Sequence, residues 1–397
     1  MGIPVAGHFG QLLVNFIQDL NSSDKYDVAI AGGGLGGLAL SIQLARSGHS
    51  VVLLEKETYP FHRVCGEYIS LECWNFLENL GYPLSDMDLP LITNLLVSAP
   101  DGRSFQRKLP LGGFGISRYK IDADLAAIAR LAGVNVIENC KVNDIRYDQS
   151  GFTFDCNGKE IRSQVAAGSF GKRSNLDLKW KRPFATRKPG KLSNYIGVKY
   201  HIRTDLPADS IALHNFDQGY CGISRVEDGK YCLCYLTTAR QLKNAGGISA
   251  LEQSVLSKNP FLKKIFSESV FEMEEAVTIA QVSFARKSQV ENHVLMVGDA
   301  AGMIAPLCGN GMSMALHASK IAAGYISLFL AGEISREAME EFYVSEWKRS
   351  FSGRLRTGRL IQGLFGASWL TNLFVGTLRP FPKIITYLIR QTHGEPF

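Results

Sequence analysis

Three short stretches carry residue types that could do chemistry, and they lie far apart in the chain. The first is AGGGLGGL, where Gly32, Gly34 and Gly37 fit G-x-G-x-x-G, with Leu35 and Gly36 between them. The first glycine permits a tight turn, the second lets the backbone approach a pyrophosphate, and the third lets helix and strand pack closely. A helix starting there offers free N–H groups and its positive dipole end to phosphates. Glu55, followed by Lys56, ends the next apolar run, where a carboxylate can accept ribose hydroxyls. The second stretch is HVLMVGDAAGMIAPLCGNGMSM, with Gly298, Asp299, Pro306, Gly309, Gly311 and Met312. Two phosphate-type turns so far apart suggest one long ligand stretched between both ends of a domain. The third is RVCGEYIS, which sets Arg63, Cys65, Gly66 and Glu67 together just after the nucleotide-binding unit.

The elements that must position these residues follow from periodicity. DVAI is an apolar run suited to a buried parallel strand, LGGLALSIQLARSG has helical spacing and SVVLLEK is the second strand, which together make a βαβ unit. ISRYKIDADLAAIARLAG predicts a helix, and FTFDCNGKEIRSQVAAG predicts a hairpin turning at Asn157 and Gly158. YIGVKYHI, IALHNF, YCGISRV and KYCLCYLTT predict an antiparallel sheet, after which GNGMSMALHASKIAAGYISLFLAG predicts a long helix. The expected fold is α/β: a Rossmann domain split into 25–190 and 275–332, an inserted antiparallel layer over 191–274, and a helical region over 333–397. HFGQLLVNFIQDL, near the N-terminus, has the spacing of a short amphipathic helix and no secretory-signal pattern.

The composition, 46% hydrophobic and 20% charged with a net charge of +6, is that of a folded globular chain. No zinc-finger spacing and no basic and aromatic array points to nucleic acid. Eight scattered cysteines without a CxxC read as reduced thiols of a cytoplasmic protein, with no metal site. Cys232 and Cys234 fall on one face of a strand, as small buried hydrophobes do.

With both glycine turns in place, the chain resembles the FAD-dependent oxidoreductase family of aromatic-ring hydroxylases (class A flavin monooxygenases), flavin halogenases and geranylgeranyl reductases. That resemblance implies a glutathione-reductase-like Rossmann domain. It places Asp299 on the ribityl chain, and the helix start at Pro306 to Met312 by the flavin N1 and C2 carbonyl. It puts Arg63 at the pyrophosphate or ribityl region, with Cys65, Gly66 and Glu67 beside the ring. Gly66 would allow close backbone approach. Cys65 either tunes the flavin or packs, and Glu67 either shuttles a proton or fixes its loop. Arg118, in ISRYKIDADL, contacts the cofactor region or pairs with Asp122 or Asp124, and Val142 lies where the family backbone contacts adenine. NADPH or NADH is the implied electron donor.

The pattern departs at GSFG. Phe170 stands where the hydroxylases have an acid, which counts against nicotinamide binding on their plan. The basic stretch GKRSNLDLKWKRPFATRKPGK could dock a carrier protein, an anionic lipid surface or a cofactor phosphate, or could simply be solvated. None of Trp74, Trp180, Trp347 and Trp369 sits in the Trp-x-Trp element of halogenases. The uncharged run from Leu360 to Leu378 reads as a helix over the substrate cavity, then as a peripheral membrane contact, with a true span disfavoured by Gln362, Asn372 and glycines. The expected reaction is hydroxylation of a hydrophobic phenolic or polyketide-derived substrate, free or carrier-bound. The alternatives are reduction of isoprenoid or polyene double bonds and a non-catalytic or electron-transfer flavoprotein. The sequence assigns no oligomeric state.

Overall fold

The computed structural model describes residues 25–186, 193–305, 309–364, 368–378, 380–391 and 394–397. The N-terminal helix expected at residues 8–20, Pro306 and Cys308 lie outside the described residues. In chain order the strands begin with β1 Lys25–Ala31, β2 Val51–Leu54, β3 Tyr68–Ser70, β4 Leu91–Ser98, β5 Ser104–Gly115 and β6 Asn135–Ile137. β7 Val142–Asp148, β8 Gly151–Cys156, β9 Lys159–Gly168, β10 Ser193–Arg203, β11 Ser210–Phe216 and β12 Gly219–Arg225 follow. The last are β13 Tyr231–Thr238, β14 Val270–Phe271, β15 Val277–Ser283, β16 Val290–Glu291 and β17 Val294–Met296. The longer helices relevant here are α1 Leu35–Arg46, α2 Arg118–Leu131, α3 Gly311–Leu330, α4 Arg336–Leu364, α5 Ser368–Leu378 and α6 Pro382–Arg390.

The first sheet runs β16-β17-β9-β1-β2-β6, with β17, β9, β1, β2 and β6 mutually parallel. β1 and β2 are continuous apolar runs because both faces are covered, and Val28, Ile30, Val52 and Leu53 have no exposure. α1 packs against α2 and α3. The hairpin β8–β9 turns at Asn157 and Gly158, both at positive φ as the Asn-Gly pair predicts. This is the α/β architecture the sequence implies.

The second sheet runs β14-β10-β13-β12-β11-β4-β5-β3, with β15 on β10. It takes in β3, β4, β5 and β15, whose residues fall inside the two ranges expected for the nucleotide domain. The second sheet is therefore assembled from three stretches of chain, tied by the parallel pairing of β11 with β4. Alternation along β10 divides the faces. Val198, Tyr200 and Ile202 pack with Leu233 and Tyr235 beneath the helices at 248–254 and 260–268, while Tyr195, Gly197, Lys199 and His201 point to the other side.

One expectation changes. Cys140, just before β7, and Cys156, at the end of β8, are paired as a disulfide with Cα atoms 5.7 Å apart, which departs from the expectation of reduced thiols throughout. In the basic stretch, three of the five cations among the described residues have partners within the chain. Arg182 is fully buried on Asp177 at 2.8 Å, Lys179 pairs with Asp144, and the Lys172 ammonium donates to the Val64 carbonyl. Residues 187–191 of that stretch lie outside the described residues.

Candidate functional site

The glycine loop and the distant second turn meet at the C-terminal ends of the parallel strands, where open α/β sheets bind ligands. A Cβ at Gly36 would stand 2.9 Å from Val297 and 3.3 Å from the Ala315 carbonyl, which shows how closely α1 approaches β17 and α3. A Cβ at Gly37 would collide with the Gly32 carbonyl, and one at Gly32 with Ser169, so the first turn tolerates nothing larger. Gly34, the N-cap of α1, differs. Its only neighbour within 4 Å of such a Cβ is the Arg118 guanidinium, at 3.5 Å. α1 begins with no side-chain cap and no acid in its first turn. Free N–H donors, an open backbone and a cation above them fit a pyrophosphate.

Glu55, at the end of β2, is buried. Its Oε2 accepts from the Gly33 N–H at 2.8 Å and the Arg63 guanidinium at 2.9 Å. Arg63 also reaches Asp122 at 3.2 Å, and Arg118 grips the same carboxylate at 2.8 and 2.7 Å. Arg118 thus pairs with Asp122 while its guanidinium stands beside Gly34. Lys56 turns to solvent and pairs with Glu57. The Cys140 N–H donates to the Glu55 carbonyl, bringing the strand with Val142 alongside, and the Val142 carbonyl accepts from Asn175. Tyr59 donates its hydroxyl to the Gly33 carbonyl and covers the loop.

At the second turn Gly298 and Asp299 line a narrow crevice with Gly311, Met314 and Trp347, and buried Met312 opens α3. Lys287, which the sequence did not single out, ties this turn to the loop that follows GSFG. Its ammonium donates to the Asp299 and Lys172 carbonyls, both at 2.7 Å, and burial lowers its pKa to about 8. Phe170 packs on Trp180, leaving an aromatic ring where the hydroxylases place an acid.

The RVCGE segment is held by the second sheet. Glu67 is fully buried and accepts from the Lys199 ammonium, from His201 at 2.7 Å and from the Arg118 N–H at 2.8 Å. Burial alone would raise its pKa, but Lys199 and His201 outweigh burial and bring it down to about 2. Its φ is 54°, a left-handed conformation that costs a side-chain-bearing residue about 1–3 kcal/mol. The strain therefore falls on Glu67 rather than Gly66, whose added Cβ would meet nothing within 4 Å. The half-buried Cys65 offers its carbonyl to the Cys232 thiol at 3.2 Å, and the Gly66 carbonyl accepts from Ser224.

Ligand atoms of Glu67, His201 and Cys232 lie within 4.8 Å of one another, the spacing of a metal site. The Lys199 ammonium already supplies the countercharge, and burial raises the Cys232 pKa well above its usual value, keeping the thiol protonated. We read the group as an ion-pair anchor. Lys199 and His201 carried no motif. Their signal was the alternation of YIGVKYHI, which puts a lysine and a histidine on one face of an otherwise buried strand.

Beyond this anchor the same face turns apolar. Leu95, Val97, Phe105, Leu213, Leu236 and Phe284 form a buried cluster with Tyr68 and with Val375, Ile385 and Ile389 of α5 and α6. The Tyr68 ring lies between Gly113 and Gly309; a Cβ at Gly113 would collide with it, and one at Gly309 would stand 3.1 Å away. The Tyr68 hydroxyl is buried and has no hydrogen-bond partner among the described residues. Burial, then the charge of Glu72, raises its pKa, so it stays protonated.

The comparisons agree with this arrangement. A family profile described as an FAD binding domain matches residues 27–62. Conditioned medium factor receptor 1 of Dictyostelium discoideum is 26% identical over 368 residues, 85% of this chain and 71% of that protein. Digeranylgeranylglycerophospholipid reductase of Methanosarcina mazei is 23% identical, covering 86% of this chain and 85% of that one. Among solved structures, a geranylgeranyl bacteriochlorophyll reductase-like protein from Thermoplasma acidophilum superposes with a TM-score of 0.75 at 19% identity, over 94% and 97% of the two chains. The flavin-dependent brominase Bmp2 gives 0.74 at 20% identity, over 93% of each chain.

Proposed function

We propose that the chain, which is similar to FAD-dependent oxidoreductases spanning flavin halogenases, monooxygenases and geranylgeranyl reductases, reduces carbon–carbon double bonds of an isoprenoid or polyene lipid. Bound FAD, reduced by NADPH or NADH, would supply hydride to one carbon of such a bond. The chain's own residues must then hold a hydrocarbon chain and deliver a proton to the other carbon.

One observation carries the reading: an apolar sheet end with an unpartnered hydroxyl at its edge. Leu95, Val97, Leu213 and Leu236 offer a hydrocarbon surface, and Tyr68 adds a protonated oxygen beside the Gly309 turn. Arg107 sits at the rim with its guanidinium 5.7 Å from the centre of the Phe105 ring. Hydroxylation of a phenol, the reading the sequence ranks first, calls for a group to take the phenolic proton. The carboxylate whose charge reaches Tyr68 is that of Glu72, and it is already paired with Arg354 at 3.2 Å. Arg63 and Arg118 would hold the pyrophosphate, Glu55 the ribose and Asp299 the ribityl chain. The Glu67–Lys199–His201 anchor would fix Cys65 and Gly66 beside the ring, which makes Glu67 a positioning residue.

The test is an anaerobic one. The FAD-loaded protein is reduced with dithionite and mixed with a detergent-dispersed geranylgeranyl lipid. We expect the flavin to reoxidise and the lipid to gain two hydrogens per double bond. A flavin that stays reduced until air is admitted, with an oxygen atom then inserted into a phenolic substrate, would overturn the reading in favour of hydroxylation.

A further inference from the structure

α5 and α6 are apolar on both sides. Their inward residues, Thr371 and Val375 of α5 and Ile385 and Ile389 of α6, are buried, the apolar ones in the cluster of the second sheet. Outward, α5 presents Trp369 and Leu373, 70% and 57% exposed, one turn apart. α6 presents Ile384 and Tyr387, 47% and 61% exposed, between exposed Lys383 and Arg390, and Phe381 between the helices is 51% exposed. With Leu360 at the end of α4, these are six of the thirteen large apolar side chains exposed among the described residues, gathered within 28 positions of sequence. The helices touch each other and both lie on β5, so the two outward stripes share one side of the molecule.

Charge decides what such a face meets. Between Glu346 and Glu395 the chain holds eight Lys and Arg residues and no Asp or Glu. Burial, then the charges of Arg286 and Arg356, lowers the pKa of Arg359 in the last turns of α4, so cations crowd there. A second copy of this chain would bring the same cations face to face, so self-association is disfavoured. Exposed Trp and Tyr flanked by cations suit the boundary between lipid headgroups and acyl chains. No helix among the described residues is long and apolar enough to cross a membrane, so the face can lie on a bilayer but these helices do not span one.

We propose that the outward face of α5 and α6 docks on an anionic phospholipid bilayer. The proposal stands on the surface alone and is independent of the reaction. If the substrate is a lipid chain, docking places the apolar end of the sheet one helix thickness, about 10 Å, from the membrane.

The test is co-sedimentation of the FAD-loaded full chain with vesicles of phosphatidylcholine, with or without phosphatidylglycerol. We expect pelleting with the anionic vesicles, at least about tenfold weaker with phosphatidylcholine alone, and release by salt. Trp369→Glu combined with Tyr387→Glu, at two exposed positions, should abolish pelleting while FAD absorbance is retained. Leu131→Glu, at an 88% exposed position of α2, should pellet as the wild type does. Absence of wild-type pelleting, equal pelleting with both vesicles, or a double variant that still pellets each overturns the proposal. A wild-type dimer that the double variant splits, without vesicle binding, would assign the face to a second copy instead. Turnover in detergent is untouched by any of these outcomes, so failure here and failure of the reductase reading are separable.

Discussion

One face of the second sheet does two different jobs within a few residues of each strand. Along β10 the side chains on that face run Tyr195, Gly197, Lys199, His201, and along β13 they run Leu236, Cys234, Cys232. At the first end lies a hydrocarbon surface under α5 and α6; at the other, a buried carboxylate is clamped by the Lys199 ammonium and the His201 imidazole. Gly197 marks the border, since a Cβ there would press on Val64 at 2.8 Å. The difference is one of tolerance. A charge network in a dry interior works only in one geometry, so it can hold a loop against a cofactor with little play. An apolar surface accepts many shapes, which suits a long flexible substrate.

The comparison breaks most sharply at Lys199. Lys199→Met would leave Glu67 buried with much of its countercharge removed, at a cost of about 3–5 kcal/mol. Urea unfolding of the FAD-loaded protein should show that loss, with faster release of flavin as Arg63 to Glu67 loosen. A loss below about 1 kcal/mol would mean the pair behaves like a surface ion pair, and the polar end would not be an anchor.

At the apolar end the expected effect is kinetic. Tyr68→Phe removes a hydroxyl that has no partner among the described residues, so the unfolding midpoint should scarcely move. Double-bond reduction should fall about a hundredfold if that hydroxyl delivers the proton. An unchanged rate would assign the proton to solvent and leave Tyr68 a packing residue between Gly113 and Gly309.

This division also shows what the sequence could and could not reveal. The two glycine turns and Glu55 were legible because backbone approach and helix starts are local demands, met by residue types at fixed spacing. Of the two roles offered for Arg118, the pair with Asp122 forms, and the guanidinium also lies beside Gly34. Lys199 and His201 escaped because alternation says which residues share a face but not that a loop more than 130 positions earlier lies on it. β3 to β5 were placed with the nucleotide domain because strand pairing is a long-range property, and only the β4–β11 pairing moves them to the other sheet. Tyr68 follows Glu67 directly and was overlooked because its isolation, the property that suits it to proton delivery, exists only in three dimensions.

The smallest expected effect concerns acid. His62 stacks on Tyr119 at 4.6 Å and meets His201 edge-on at 5.3 Å. Burial, then the charges of Lys199 and His201, lowers its pKa from 6.5 to about 4, with Glu67 opposing. Because the folded value lies below the unfolded one, the histidine's contribution to stability is complete above pH 6.5 and is lost as pH falls through that value toward 4. Glu67, lowered from 4.5 to about 2, loses its contribution only below 4.5. Of these two groups at the polar end, His62 is therefore the one that responds between pH 6.5 and 4.5. His214 and His317, both lowered to about 4 mainly by burial, lie outside the anchor and give the same sign. His62→Gln should therefore reduce, without abolishing, the stability lost between about pH 7 and about pH 5, read from urea midpoints at each pH. An identical loss in variant and wild type would separate His62 from the anchor and confine the acid response to the two distant histidines.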